Sequence, residues 1–390
     1  MSTAVDTTAA AVEMEHVESH LHPEPTYDLQ AHPLPTGREE IWRFTPLKRL
    51  RGLLQDAPSD GHLEQKLELP ASVTLTAISL DEASALGGTA PFDRLGALAA
   101  KNAGGALLLD IPAEADVTEP IRVHLHGTSL DEIVWGRLVV RIGTQARATV
   151  VIEHSGSTTY DAFTTVLVGD GAQLDLVHVN DWADDAVHAE QINARVGRDA
   201  TLRQFEFTLG GDLVRTSTNV DYAGPGGTAE LFGLYFADAG QHFEHRLFVD
   251  HTAPKTVSNV VYKGALQGEK AHTVWIGNVL IRKVAEGIET YEENRNLVLT
   301  DGCQADSVPN LEIETGEIAG AGHASAVGRF DDEQLFYLRS RGIEEAEARK
   351  LVVRGFFDDL IRRVTVPELA AKLSSQVEEE LQRHVLKELA

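Results

Sequence analysis

Residues 143–150 read GTQARATV, residues 169–176 GDGAQLDL, residues 197–204 GRDATLRQ and residues 224–231 GPGGTAEL. Each stretch opens on glycine, passes through a short polar turn and runs into alternating apolar residues. The leading glycines are 26, 28 and 27 residues apart. Between them lie segments rich in Val, Ile, Thr and aromatic residues, such as IVWGRLVVRIG at 133–143 and TTVLVGDGAQLDLVHV at 164–179. That composition favours extended chain on a pleated surface. A repeat of this length is one supersecondary unit, which buries its face only against its neighbours. No amphipathic helix fits inside a unit, so each unit is strand–turn–strand. The leading architecture is a parallel β-helix, and evenly spaced hairpins in a β-sandwich are the alternative. Continuing the step places further turns near Asp250, Gly277 and Gly302.

The texture changes on either side of this core. Residues 1–36 carry scattered His, Pro and Glu, including His16, His20, His22 and His32, with no periodicity, and read as a disordered tail. Residues 37–115 read as an N-terminal helical and mixed region. Within it GREEIWRFTPLKRLRGLL (37–54) places Leu47, Leu50 and Leu54 on one helical face, with Trp42 and Phe44 as anchors. The β-helix core is expected over 116–328 and a C-terminal helical domain over 329–390. In that domain Asp331 is the predicted N-cap, with Gln334 completing a capping box, and Gly342 ends the helix. A second helix carries the stripe Ala348, Leu351, Val352, Gly355 and Phe356. After the break at Pro367, a last one runs through Leu369, Leu373, Val377 and Leu381.

Charge and absent motifs narrow the function. The 390-residue chain has 34 basic and 60 acidic residues, a net charge of −26, which disfavours binding to phosphate backbones and anionic membranes. There is no apolar run of membrane-spanning length, no basic-then-apolar leader, and a single cysteine, so a cytoplasmic location is expected. No G-x-x-x-x-G-K-[ST], C-x-x-C or G-x-S-x-G motif is present. Any iron–sulfur or thiol chemistry would therefore be shared with another chain. His124 with His126, and His242 with His245, are pairs that invite a metal, but surface or satisfied core histidines are the favoured reading. Cys303 lies in TDGCQADSVPN (300–310), and His323 in GAGHASAVG (320–328). A working thiol needs exposure and a stabilised thiolate. On the residues alone, Cys303 is either an inert core group or a functional one, with His323 as a possible neighbouring imidazole.

Further segments carry a resemblance. DGCQADSVPNLEIE (301–314), GHASAVGRFDDEQLFYLRSRGIEEAEARKLVVRGFFDDLIRRV (322–364), NVLIRKVAEGIETYEENRNLVLTDG (278–302) and REEIWRFTPLKRL (38–50) are similar to the SufB/SufD scaffolds of the SUF iron–sulfur cluster assembly system. The resemblance covers about residues 36 to 365. It implies a right-handed parallel β-helix flanked by N-terminal and C-terminal helical segments. It also implies a non-catalytic scaffold that pairs SufB with SufD through their β-helices. The helical C-terminal domains contact the ATPase SufC, here through Tyr337, Arg341 and Gly342, and the chain has no ATP site of its own. It looks more like SufD, being short and having Ala324 after His323, where SufB typically keeps Glu. His323 matches the family's functional histidine at the SufB–SufD interface, where transient iron or a nascent cluster would be held. Cys303 matches SufB's cluster-building cysteine. The cysteine that some SufD chains keep two residues before the histidine is Ala321 here. Two other readings stay open: a β-helix or cupin-like metalloenzyme, and a homodimeric scaffold acting without SufB through Cys303 and His323 of both copies.

Overall fold

The computed structural model describes residues 24–329 and 332–388. The N-terminal region forms β1 (Glu64–Glu68), β2 (Thr74–Ile78), α1 (Leu80–Ala85), α2 (Arg94–Asn102) and β3 (Ala106–Ile111). Two long strands follow, β4 (Ile121–Ile142) and β5 (Arg147–Val168). The coil then continues through β6 (Gln173–Trp182), β7 (Val187–Val196), β8 (Thr201–Thr208), β9 (Leu213–Tyr222), β10 (Thr228–Ala237) and β11 (His242–His251). It ends with β12 (Val257–Leu266), β13 (His272–Ile281), β14 (Ile288–Val298), β15 (Gln304–Ile313) and β16 (Ile318–Arg329). Three helices close the chain: α3 (Asp332–Ser340), α4 (Glu345–Ile361) and α5 (Pro367–Glu388).

β4 and β5 pair over their whole length, interrupted by one irregularity, and so start both walls of a coil. From there the strands alternate. β6, β8, β10, β12, β14 and β16 stack in parallel as one wall, and β7, β9, β11, β13 and β15 as the other. This is a parallel β-solenoid, the architecture the repeat predicts. At the N-terminal end the coil is covered by β1, antiparallel to β4, and by β3 with its antiparallel partner β2. At the other end β15 and β16 each have one neighbour, β13 and β14, leaving two open edges among the described residues.

The leading glycines have a steric cause. A Cβ on Gly143 would lie 2.4 Å from the Ala113 nitrogen, on Gly169 2.7 Å from the Thr144 nitrogen, and on Gly197 2.7 Å from the Val168 oxygen. Stacked turns bring backbone onto backbone, and only glycine leaves room. The left-handed residue falls two places later, at Gln145, Gly171, Asp199 and Gly226, with φ of 58°, 66°, 53° and 76°. The period, however, is not constant. Arg147 faces Gln173, Gln173 faces Thr201 and Thr201 faces Thr228, but the next partners are Val257 and Glu289, steps of 29 and 32 residues. Extra residues enter the turns, so Gly277 falls inside β13, and Gly302 in the turn between β14 and β15 on the opposite edge of the coil. Neither marks the repeat turn that the fixed step assigned to it.

Inward rows follow the register. Val166, Ala194, Val220, Val249, Val279 and Leu311 form one such apolar file. Both outer faces are covered as well. On the β6-side wall Val177, Phe205 and Phe232 pack under Val353, Phe357 and Leu360 of α4 and Leu369, Leu373, Val377 and Leu381 of α5. The stripe expected on α5 is thus buried as read, whereas that on α4 is displaced. Ala348 is buried, but the packed face continues through Val353, Phe357 and Leu360, and Leu351 points away to solvent. On the opposite wall Trp42, Leu50, Leu53, Leu95 and Leu98 cover Phe163, Ala189 and Leu213. Leu47–Leu50 is a short 3-10 turn rather than a longer helix, because Arg51 turns left-handed at φ 47°.

Residues 24–36, expected within the tail, instead lie on this wall. The Thr26 amide donates to the Pro91 carbonyl at 2.9 Å, Arg94 donates to the His32 carbonyl at 2.8 Å, and Tyr27 meets Phe163 edge-on. His32 is buried, bonded through Nε2 to the Thr26 carbonyl oxygen. His16, His20, His22 and Asp331 lie outside the described residues.

Candidate functional site

The open end of the coil carries the two residues singled out by the sequence, but it holds them apart. Cys303 sits in the turn before β15, half-buried against the interior core. Its Sγ donates to the Gly268 carbonyl at 3.2 Å and lies 3.6 Å from Thr300 Oγ1. Burial pushes the thiol above its ordinary pKa, and the carboxylates of Asp238 and Asp301 add to the shift. At neutral pH the sulfur is therefore a thiol rather than a thiolate. His323 lies in the middle of β16, exposed, on the inward-facing row Leu176, Gln204, Leu231, Val260 and Glu292. Near the Cys303 turn, Arg329 pairs with Asp301 at 3.1 Å. His323 is six residues back along the strand from Arg329, roughly 20 Å at the rise of extended chain.

Directly below His323 in register is Glu292. It is 1% exposed, and neither carboxylate oxygen has a hydrogen-bond partner. Burial pushes its carboxyl up to about 8, and the Asn310 backbone amide, which approaches it outside normal hydrogen-bond geometry, offsets this only in part. The facing wall makes space for it: a Cβ on Gly277 would lie 2.4 Å from Glu292 Oε2. Trp275 Nε1 and Ser307 Oγ, neighbours in register on that wall, also have no partner. The last turns of the coil thus carry several unsatisfied buried polar atoms beneath an exposed imidazole. Sequence reading missed Glu292 because TYEENRN offers no alternation of apolar residues to show which glutamate points inward.

A second polar group lies deeper in the coil and was likewise not found from sequence. His178 Nδ1 is 3.4 Å from Glu190 Oε2, His245 Nδ1 is 3.2 Å from Glu206 Oε1, and Tyr262 donates to Glu206 Oε2 at 3.1 Å. Burial opposes ionisation of Glu190, yet His178 holds its carboxyl well below the usual range. Burial pushes His188 down to about 4. Every one of these side chains shares strand parity with inward apolar residues, a signal that needs the register to be read.

The histidine pairs singled out in the sequence do not converge on one site. His124 Nε2 and His126 Nδ1 both reach Ser155 Oγ, at 3.0 and 2.9 Å. His242 and His245 face opposite sides of β11, as residues three apart on a strand must: His242 meets Glu244, and His245 meets Glu206. Among the described residues no three His, Cys, Asp or Glu side chains converge as a metal site.

Buried His251 gives a test of the interior. It shares hydrogen bonds with Thr256 Oγ1 at 2.7 Å and Ser258 Oγ at 3.0 Å, and it stacks on Tyr222. Burial pushes its pKa down to about 3. Between pH 6.5 and about 3 the unfolded chain takes up a proton that the folded one refuses, so stability is lost as pH falls through this window. Relative to His251→Gln, the protein is expected to lose about 2 kcal/mol between pH 7 and pH 5 in urea titrations. Parallel pH profiles for the two proteins would show that His251 titrates normally.

At the C-terminal end, Phe336, Tyr337 and Leu351 are 74%, 56% and 43% exposed, an apolar patch on α3 and α4. The Arg341 guanidinium lies 5.0 Å over the Tyr337 ring, and Gly342, with φ +83°, ends α3. No helix among the described residues is long and apolar enough to cross a membrane.

The coil is thus a β-solenoid with open edges at its last strands among the described residues, where an exposed histidine stands over a buried glutamate. The chain matches the family described as SUF system FeS cluster assembly, SufBD core domain, over residues 125–356. It is 50% identical over 388 residues to an iron-sulfur cluster assembly SufBD family protein of Mycobacterium bovis, covering 97% of both chains. A Mycobacterium leprae protein of the same description is 48% identical over 363 residues, covering 91% of this chain and 93% of that one. A second M. leprae protein with this description is 26% identical over 225 residues, covering 58% of this chain and 26% of its own length. The chain belongs to the SufBD family of iron–sulfur cluster assembly proteins.

Proposed function

We propose that this chain is the SufD-like subunit of a SufBCD-type complex, a non-catalytic scaffold that aids iron acquisition and forms the assembly site with SufB. In this reading iron and the nascent cluster are cargo held at the subunit interface, and His323 is this chain's ligand to them. Imidazole suits iron. The SufB subunit pairs with the coil. SufC binds the helical end around Tyr337, Arg341 and Gly342 and hydrolyses the ATP, and the complex is cytoplasmic. Cys303, bonded to Gly268 and set apart from His323, acts as a structural thiol.

The observation that carries this reading is the exposed His323 on the open-edged β16. Edge strands left bare are templates for pairing with another chain, and proteins cover them when no partner exists. The two M. leprae relatives support a pair of unlike subunits, since one organism carries two family members that differ in how far they match this chain. The exposed Phe336, Tyr337 and Leu351 supply an apolar surface of the kind that marks a protein interface.

The test is purification of the native chain with its bound partners, assaying iron, sulfide and ATP hydrolysis on the same sample. All three are expected in one complex that contains a second SufBD-family chain. A metal-free monomer, or a homodimer that builds clusters alone, would overturn the assignment.

A further inference from the structure

We infer that Glu292 is a second ligand of the metal held at His323, so that this chain contributes an imidazole–carboxylate pair. The inference rests on the reading of His323 given above.

Three observations carry it. First, Glu292 and His323 are partners in register on adjacent parallel strands, on the inward-facing side of the wall. In-register neighbours on one face of a sheet are about 5 Å apart at the backbone, close enough for two side chains to share an ion with bonds of about 2 Å. Second, Glu292 is almost fully buried while both its oxygens lack a partner. A carboxyl kept for packing or structure would be expected to have acquired donors, because buried polar groups nearly always do. Third, the wall opposite is cut away. Gly277 leaves the volume that a side chain would otherwise take from Glu292 Oε2, and the free Trp275 Nε1 and Ser307 Oγ border that wall. The remaining ligands would come from a partner docked on the open edge of β16.

The chemistry is coherent for ferrous iron. A mixed nitrogen and oxygen donor set suits a divalent first-row ion better than a purely soft one, and the carboxyl, releasing its proton as the ion binds, supplies charge that imidazole lacks. Glu292 would also steer the ion inward, toward the coil, rather than leaving it on the rim.

Cobalt(II) serves as the probe, titrated into the purified native complex and followed by its visible absorption. Glu292→Gln keeps the volume and removes the anionic donor. It is expected to weaken cobalt binding about tenfold and to change the band shape, while Glu292→Asp retains part of both. Because glutamine keeps the volume and an oxygen for the Asn310 amide, the thermal midpoint of Glu292→Gln should not fall, which separates ligand loss from misfolding. Unchanged affinity and spectrum in Glu292→Gln, with binding lost in His323→Ala, would overturn the inference and leave His323 as ligand. Unchanged binding in His323→Ala would overturn the reading beneath it.

Discussion

Replacing Arg215 by methionine is expected to cost about 3–5 kcal/mol of folding free energy, among the largest stability losses available to one substitution in this chain. The guanidinium is buried on the outer face of the β7-side wall. It donates to Asp93 at 2.9 Å and lies 3.5 Å from Glu244 and 4.4 Å over the Trp42 ring. Asp93 is itself the N-cap of α2, with its other oxygen accepting from the Gly96 amide at 3.0 Å. One cation thus ties α2 and the Trp42 turn to the coil. Methionine would fill most of the space and keep the packing on Trp42, so the loss reads the stranded charge rather than a cavity. Glu244 would keep Arg246 at 3.0 Å and Thr45 Oγ1 at 2.7 Å, so the loss falls chiefly on Asp93, with buried Asp161 also deprived of the nearby cation. Adding Asp93→Asn to the variant should therefore recover part of the loss, since the two side chains are directly coupled. Urea titration measures both, with the midpoint moving and the slope constant. A loss under about 1 kcal/mol would mean that water reaches the site and screens the pair.

The same residue shows where sequence reading stops. The coil was legible because its cause is local: backbone crowding at Gly143, Gly169 and Gly197 forces glycine to recur, and alternation marks the strands. The walls were not. Arg215 reads as one charge in a polar strand, and only pairing with Ala189 and Glu244 reveals that it points outward under Trp42. The drift of the period from 26 to 32 residues was equally hidden, because turns lengthen without a fixed residue signal. On α4, Leu351 and Phe356 fit a helical stripe as well as Val353 and Phe357 do, and the wall it packs against decides between them. His323 stood out as an imidazole near Cys303 in sequence, and a family resemblance implied its role. Its neighbour Glu292 became visible only through the register between β14 and β16.

His323→Ala should lower the iron–sulfur yield of the purified complex about a hundredfold, the upper end of what loss of groups around a metal costs. The side chain is exposed and its strand is held by backbone pairing to β14, so neither folding nor the proposed docking through α3 and α4 should change. ATPase content per complex is then the internal control. Cys303→Ser is the counterpart. Its thiol donates to Gly268 and is raised by burial, and a serine hydroxyl can make the same bond, so yield should stay within about twofold. Normal cluster formation in His323→Ala would remove the imidazole from the mechanism. Failure in Cys303→Ser with normal activity in His323→Ala would move the working group from the open edge of β16 to the turn before β15. The two variants are informative together because the structure holds the two side chains in different parts of the last coil. A shared defect would then require the partner chain to bring iron to both, whereas a defect in His323→Ala alone fits a site built on the β14–β16 wall.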